Sequence, residues 1–152
     1  MEVRKPREDE TDVVRAIVEE AYSPYIARIG RRPAPMDDDY AARIRDRRVD
    51  VVEVAGELVG LVVLVDEGDG LLVENLAVRP AAQGRGVGRA LLEHADTTAA
   101  QLGRDELRLY TNSAMTENIE LYSRLGWHET HRRTEGGFQR VFFSKPAQVE
   151  TS

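Results

Sequence analysis

The chain has no cysteine among its 152 residues. That excludes disulfides, thiolate metal sites and a cysteine acyl-enzyme, and it fits a reducing, cytoplasmic setting. Lysine is nearly absent: only Lys5 and Lys145 occur, so the Gly-Lys-Ser/Thr end of a Walker phosphate loop is missing. The three histidines, His94, His128 and His131, lack ligand-like spacing, and no metal site is expected. No serine lies in a G-x-S-x-G elbow, which removes the usual serine acyl-enzyme. No apolar run approaches the ~20 residues that span a bilayer, and Met1-Glu-Val-Arg-Lys does not open a signal peptide.

What remains is an ordinary globular composition, with 41% hydrophobic and 32% charged residues. Residues 1–146 read as a single domain and 147–152 as a frayed tail. Acidic residues number 27 against 21 basic ones, for a formal charge of −6. An acidic surface repels nucleic acid and anionic membrane, so neither is expected as a partner. Arg79 to Arg89, RPAAQGRGVGR, inverts this: three arginines, five glycines or alanines between them and no acid. Such an island on an acidic protein points to a small polyanionic ligand.

Periodicity places the elements around that island. Thr11 is positioned to cap a helix through about Ala21, with Val13, Val14, Ile17 and Ala21 on one stripe. Residues 22–40 hold three prolines and three tyrosines, so a helix end, a loop and a new start at Asp37 or Asp38 follow, with Tyr40 and Ile44 on one face of a second helix. An antiparallel meander comes next: Val49–Ala55, a turn at Gly56-Glu57, Leu58–Val65, a second turn, and Leu71–Val78 closed by Pro80. Gly88–Leu102 reads as a helix with Leu91, Leu92, Ala95 and Ala99 inward and Gly103 as its left-handed stop. Leu107–Thr111 is a strand, Thr116–Leu125 a helix, and Trp127–Arg133 with Phe138–Ser144 a final hairpin. The order α, α, β, β, β, α, β, α, β, β is an α+β arrangement.

Gln83-Gly-Arg-Gly-Val-Gly88 therefore joins a strand to a helix. Its glycines permit close backbone approach, and the helix start presents unpaired N–H groups with partial positive charge, a combination suited to a pyrophosphate. Arg85 and Arg89 add charge at the rim. It is not a dinucleotide fingerprint, because it follows a third, antiparallel strand.

The loop, with Gln83, Gly86 and Gly88 in the pattern Q/R-x-x-G-x-G/A, resembles the acyl-CoA loop of the GNAT superfamily of N-acetyltransferases. The later LYSRLGW, Leu121–Trp127, looks like that family's LYxxxGF element. The resemblance implies the GNAT-like acyl-CoA N-acyltransferase fold, a strongly twisted mixed β-sheet with a central antiparallel meander and a splayed parallel pair, flanked by about four helices. It also implies acetyl-CoA as acyl donor and transfer to an amine. In that picture Leu76, Ala77 and Val78 hold the cofactor arm through their backbone, and Gln83, Gly84, Arg85, Gly86, Val87, Gly88 and Arg89 hold the pyrophosphate.

By the same resemblance Tyr122 donates a hydrogen bond to the departing sulfur. The family's asparagine seven residues before that tyrosine is Met115 here, which leaves Asn118, or Asn112 at the end of the strand, for the polar contact to the cofactor; either is also a common cap or turn residue. Glu74 is the candidate proton acceptor, since strand alternation sets it with Leu72, Leu76 and Val78; a salt bridge is the other reading of that carboxylate. Residues 22–40 correspond to the family's acceptor-covering region, so Tyr22, Tyr25, Arg28, Arg31, Met36 and Tyr40, with Tyr110 on the next strand, are candidates for the acceptor side, against ordinary loop packing. A homodimer is common among such relatives. A non-catalytic acyl-CoA-sensing module is the alternative that keeps the loop and drops the chemistry.

Overall fold

A computed structural model describes residues 1–147, so the tail expected at 147–152 lies almost wholly outside the described residues. They form two compact units: Met1–Val65 with Glu74–His94, and Asp66–Val73 with the chain from Ala95 onward.

In the first unit a short strand, β1 (Glu2–Arg4), precedes α1 (Thr11–Tyr22), α2 (Ile26–Ile29) and α3 (Tyr40–Arg45). Strands β2 (Val49–Val54), β3 (Glu57–Asp66) and β4 (Leu71–Val78) follow, and α4 (Val87–Leu102) begins here. β1 pairs antiparallel with β2, and β2 with β3. β1 has no sequence signature because three residues show no period; Arg4 fixes it by a two-pronged bond to Glu10, 2.9 Å on each oxygen.

Thr11 does not cap α1. A tight turn over Glu8–Glu10 leads into the helix, and the Thr11 hydroxyl donates to the Glu8 carbonyl. The buried stripe is Val14, Ile17 and Val18, while Val13 is 38% exposed. Spacing i, i+3, i+4 continued to Ala21 is the true helical face, and Val13 lies off it. The first hairpin turn is Ala55-Gly56, one residue earlier than expected, with φ of +51° and +82°.

The core of this unit joins α1 and α3 to one face of the strands through Val14, Ile17, Tyr40, Ile44, Val49, Val51, Leu61, Val63 and Ala77. The other face receives α4. There Gly60 is required: a Cβ on it would stand 2.9 Å from Val87 Cγ1 and 3.1 Å from the Ala77 carbonyl oxygen. The first turn of α4 thus rests on the bare main chain of β3. Buried Asp50 takes Lys5 Nζ at 3.0 Å and His94 Nε2 at 3.2 Å.

In the second unit β5 (Glu106–Asn112) runs parallel to β4, pairing Leu71–Val73 with Leu107–Leu109. α5 (Thr116–Arg124) leads to the hairpin β6 (His128–Glu135) and β7 (Phe138–Pro146), and β7 pairs antiparallel with β5. Leu107, Leu109, Val141 and Phe143 form the buried face. Lys145 is engaged by Asp96 at 3.3 Å. The strand order is β1-β2-β3-β4-β5-β7-β6, the mixed sheet expected. No helix among the described residues is long and apolar enough to cross a membrane.

Candidate active site

β4 alternates strictly, buried at Val73, Asn75 and Ala77 and half-buried at Glu74, Leu76 and Val78. Its register with β5 stops at Val73. No residue from Glu74 onward stands in that register among the described residues.

The chain then leaves β4 through Arg79 and a tight turn over Pro80–Ala82. Arg79 is not a loop cation: its Nε donates to the Leu58 carbonyl and its Nη1 pairs with Glu20. Arg85 and Arg89 are exposed and have no ion-pair partner among the described residues. Gly84 and Gly86 take φ of +80° and +83°. The first helical rung of α4 is the Ala90 amide on the Gly86 carbonyl, 3.0 Å, so the N–H groups of Val87, Gly88 and Arg89 have no acceptor within the helix. The Val87 side chain is buried under Gly60, and a Cβ placed on Gly88 would stand 3.9 Å from Leu76 Cδ2, so this helix end lies beside β4. A backbone cradle with two unpaired guanidiniums fits the diphosphate of a nucleotide cofactor.

Glu74 is not in the apolar setting that alternation alone implies. Arg43 Nη2 reaches its Oε1 at 2.5 Å, and Arg43 Nε binds Asp38 Oδ2 at 3.1 Å. These three side chains keep 20–26% of their surface exposed. Residues 22–40 separate into core and rim. Tyr40 and Met36, expected on the acceptor side, are core residues with 1% and 8% exposure, so neither is a pocket wall open to solvent. Tyr25 is half-buried with the Arg28 guanidinium 5.1 Å above its ring. Asp39 caps α3 by accepting from the Ala42 amide at 3.1 Å.

Asn75 ties this segment to β4. Its Oδ1 accepts from the Tyr22 hydroxyl at 2.5 Å, and its Nδ2 donates to the Tyr40 hydroxyl at 3.0 Å. Sequence reasoning missed this link because side chains 53 and 35 positions apart leave no local pattern.

In the second unit Tyr122 packs its ring on Trp127 and Phe143, each at 6.0 Å. Only 6% of the residue is exposed, and burial pushes the phenol up to about 12. Its hydroxyl has no hydrogen-bond partner among the described residues, yet no buried side-chain oxygen there is left unsatisfied; the oxygen therefore reaches the surface. Asn118, one turn earlier on α5, is partly exposed with no side-chain partner among the described residues. Asn112 is a turn residue: its Oδ1 accepts from the Ala114 amide at 2.9 Å. Tyr110 is half-buried beneath the Arg140 guanidinium, 4.6 Å from its ring centre. No cluster among the described residues has three or more side chains arranged to hold a metal ion.

Residues 45–129 match the family model described as an acetyltransferase (GNAT) domain. No curated protein sequence matches the chain. Among solved structures, nourseothricin acetyltransferase is 31% identical over 66% of this chain, with a TM-score of 0.61, and the match covers 65% of that protein's length. PaiA N-acetyltransferase from Thermoplasma acidophilum, in complex with coenzyme A, aligns over 93% of this chain and 96% of its own, with 16% identity and a TM-score of 0.76. A ribosomal-protein alanine N-acetyltransferase from Escherichia coli aligns over 99% and 96%, with 19% identity and a TM-score of 0.75. The last two are similar in fold alone. The glycine loop, the strand order and a family match across more than half of the chain lead to one assignment: this protein belongs to the GNAT family of acetyl-CoA-dependent N-acetyltransferases.

Proposed function

We propose that the chain moves an acetyl group from acetyl-CoA to a primary amine by direct attack in a ternary complex. The observation that carries this reading is the Gly84–Arg89 cradle, with its outward N–H groups next to a stretch of β4 that β5 leaves unpaired. The pyrophosphate is held there, the arm adds alongside Leu76–Val78, and a backbone N–H of that stretch polarises the thioester carbonyl. Asn118 supplies the side-chain contact to the arm. The amine nitrogen bonds to the carbonyl carbon, the carbon–sulfur bond breaks, and the sulfur leaves with its electron pair as Tyr122 donates a hydrogen bond to it.

An amine of ordinary pKa is free base in only ~1 molecule in 2,500 at pH 7, so a proton must be removed before attack. Glu74, directly or through water, accepts it; Arg43 keeps this carboxylate oriented. The acceptor classes named for similar proteins, an antibiotic and a protein N-terminal alanine, are the first to try. The lack of cysteine supports a cytoplasmic setting for the reaction.

The test is thiol release from acetyl-CoA with a panel of nourseothricin, an alanine-initiated peptide, spermidine and glucosamine. At least one should yield an N-acetyl product, and Glu74→Gln should lower kcat/KM for it by about 100-fold. Coenzyme A binding without product from any amine would instead make the chain a sensing module. Arg85→Ala should weaken coenzyme A binding about fivefold at low salt and flatten its ionic-strength dependence, read by calorimetric titration at two salt concentrations.

A further inference from the structure

The register between β2 and β3 breaks at one point. It steps from Val52 opposite Gly60 to Glu53 opposite Leu58, so Val59 is an extra residue with no counterpart on β2. A bulge of this kind turns the strand locally and re-aims its polar groups. Consecutive carbonyls of a regular strand point to opposite neighbours, whereas those of Leu58 and Val59 both serve Arg79. The Arg79 amide donates to the Val59 carbonyl at 2.8 Å, and its Nε donates to the Leu58 carbonyl at 3.0 Å. Gly60, the next residue, lies against Val87 at the start of α4. Three consecutive residues of β3 therefore hold both ends of the glycine loop, Leu58 and Val59 its entry and Gly60 its exit.

The Arg79 guanidinium is spent within the fold. Its Nε is given to Leu58, and its Nη1 is paired with Glu20 in the last turn of α1. Glu20 is a surface residue with 49% of its side chain exposed. Between entry and exit, Gly84 and Gly86 take φ of +80° and +83° and have no side chains to lock them there. The shape of such a loop has to be imposed from its ends.

We infer that Arg79 and Glu20 are positioning residues for coenzyme A, fixing the loop entry on the β3 bulge so that the N–H groups of Val87, Gly88 and Arg89 are aimed before the diphosphate arrives. The inference rests on the cofactor reading above. Donors aimed in advance need not be ordered on binding, and affinity gains by that saving. Neither residue touches the ligand; both act through the main chain of the loop.

The test is calorimetric titration of the full chain with coenzyme A at two salt concentrations. Arg79→Leu should weaken binding about tenfold and keep the wild-type ionic-strength dependence, because the lost contacts lie within the protein. Glu20→Gln removes a negative charge at the loop entry, which by Coulomb attraction alone would tighten the binding of an anion. Positioning predicts the opposite, a loss of about threefold. The double variant should bind no more weakly than Arg79→Leu, since Glu20 acts through that guanidinium. Glu19→Gln, which breaks the neighbouring pair with Arg32, should leave affinity unchanged. Wild-type affinity or a flattened salt dependence in Arg79→Leu would overturn the inference and leave the acetyl-CoA reading intact. Should that variant fail to fold, Glu20→Gln decides: weaker binding supports the inference, unchanged or tighter binding refutes it. A wild type that binds no coenzyme A would overturn both. Coenzyme A bound with these shifts, but no amine acetylated, would sink the transferase reading alone.

Discussion

Gly86→Val lowers coenzyme A affinity by about 100-fold or more, measured by calorimetric titration. A Cβ at this position meets no atom within 4 Å, so the defect is not a clash. It is the backbone: φ is +83°, which a β-branched residue adopts only at a cost of roughly 1–3 kcal/mol. The strain is relieved by turning the peptides on either side, and the peptide that follows carries the Val87 N–H at the mouth of α4. Three convergent N–H groups then lose their common aim. Gly30 provides the control, with φ of +88° and equally open surroundings at the end of α2. Gly30→Val carries the same conformational penalty and should change thermal stability without changing coenzyme A affinity. Equal affinities for wild type and Gly86→Val would remove the cradle from the cofactor site.

Tyr122→Phe lowers kcat by about 100-fold while coenzyme A affinity and thermal midpoint stay near those of the wild type. The contrast is expected because the Tyr122 hydroxyl has no hydrogen-bond partner among the described residues to orphan. With the phenol pushed up to about 12 and a thiol near 8.5, full proton transfer to the departing sulfur is uphill by about 5 kcal/mol. In the proposed reaction Tyr122 therefore acts on the thiolate as a neutral donor. The sign is clear: raising the pKa extends the protonated form to higher pH, so any alkaline fall in kcat between pH 8 and 10 belongs to another group. A pH–kcat profile checks this, and a Tyr122→Phe enzyme with wild-type kcat would end its assignment.

The sheet and its helices were largely legible because each strand near the site has a terminator. Leu71–Val78 was read to the residue, with apolar residues enclosed between Gly70 and Pro80. Leu91, Leu92, Ala95 and Ala99 face inward on α4 as their spacing demands. The site was legible in its backbone and less so in its side chains. Arg79 looked like one of three loop cations, yet Glu20, 59 positions away, holds it. Glu74 shares its strand face with apolar neighbours, but an arginine from α3 meets it. Gly60 carried no signal, because a glycine inside an apolar strand announces nothing until the helix laid over it is known. Tyr40 resembles a rim aromatic beside three aspartates and is instead the buried end of a hydrogen-bond chain. Partnerships of this kind depend on distances through space, and periodicity reports only distances along the chain.

The scarcity of amino side chains has a consequence for a protein that works with an activated thioester. Thioesters acylate unprotonated amines spontaneously, whereas a guanidinium stays charged and unreactive at any physiological pH. Of the 21 basic residues only two are lysines. Lys5 is clasped by Asp50 and Lys145 by Asp96. The catalyst thus offers its own reagent almost nothing to modify, and its surface charge survives long exposure to the donor.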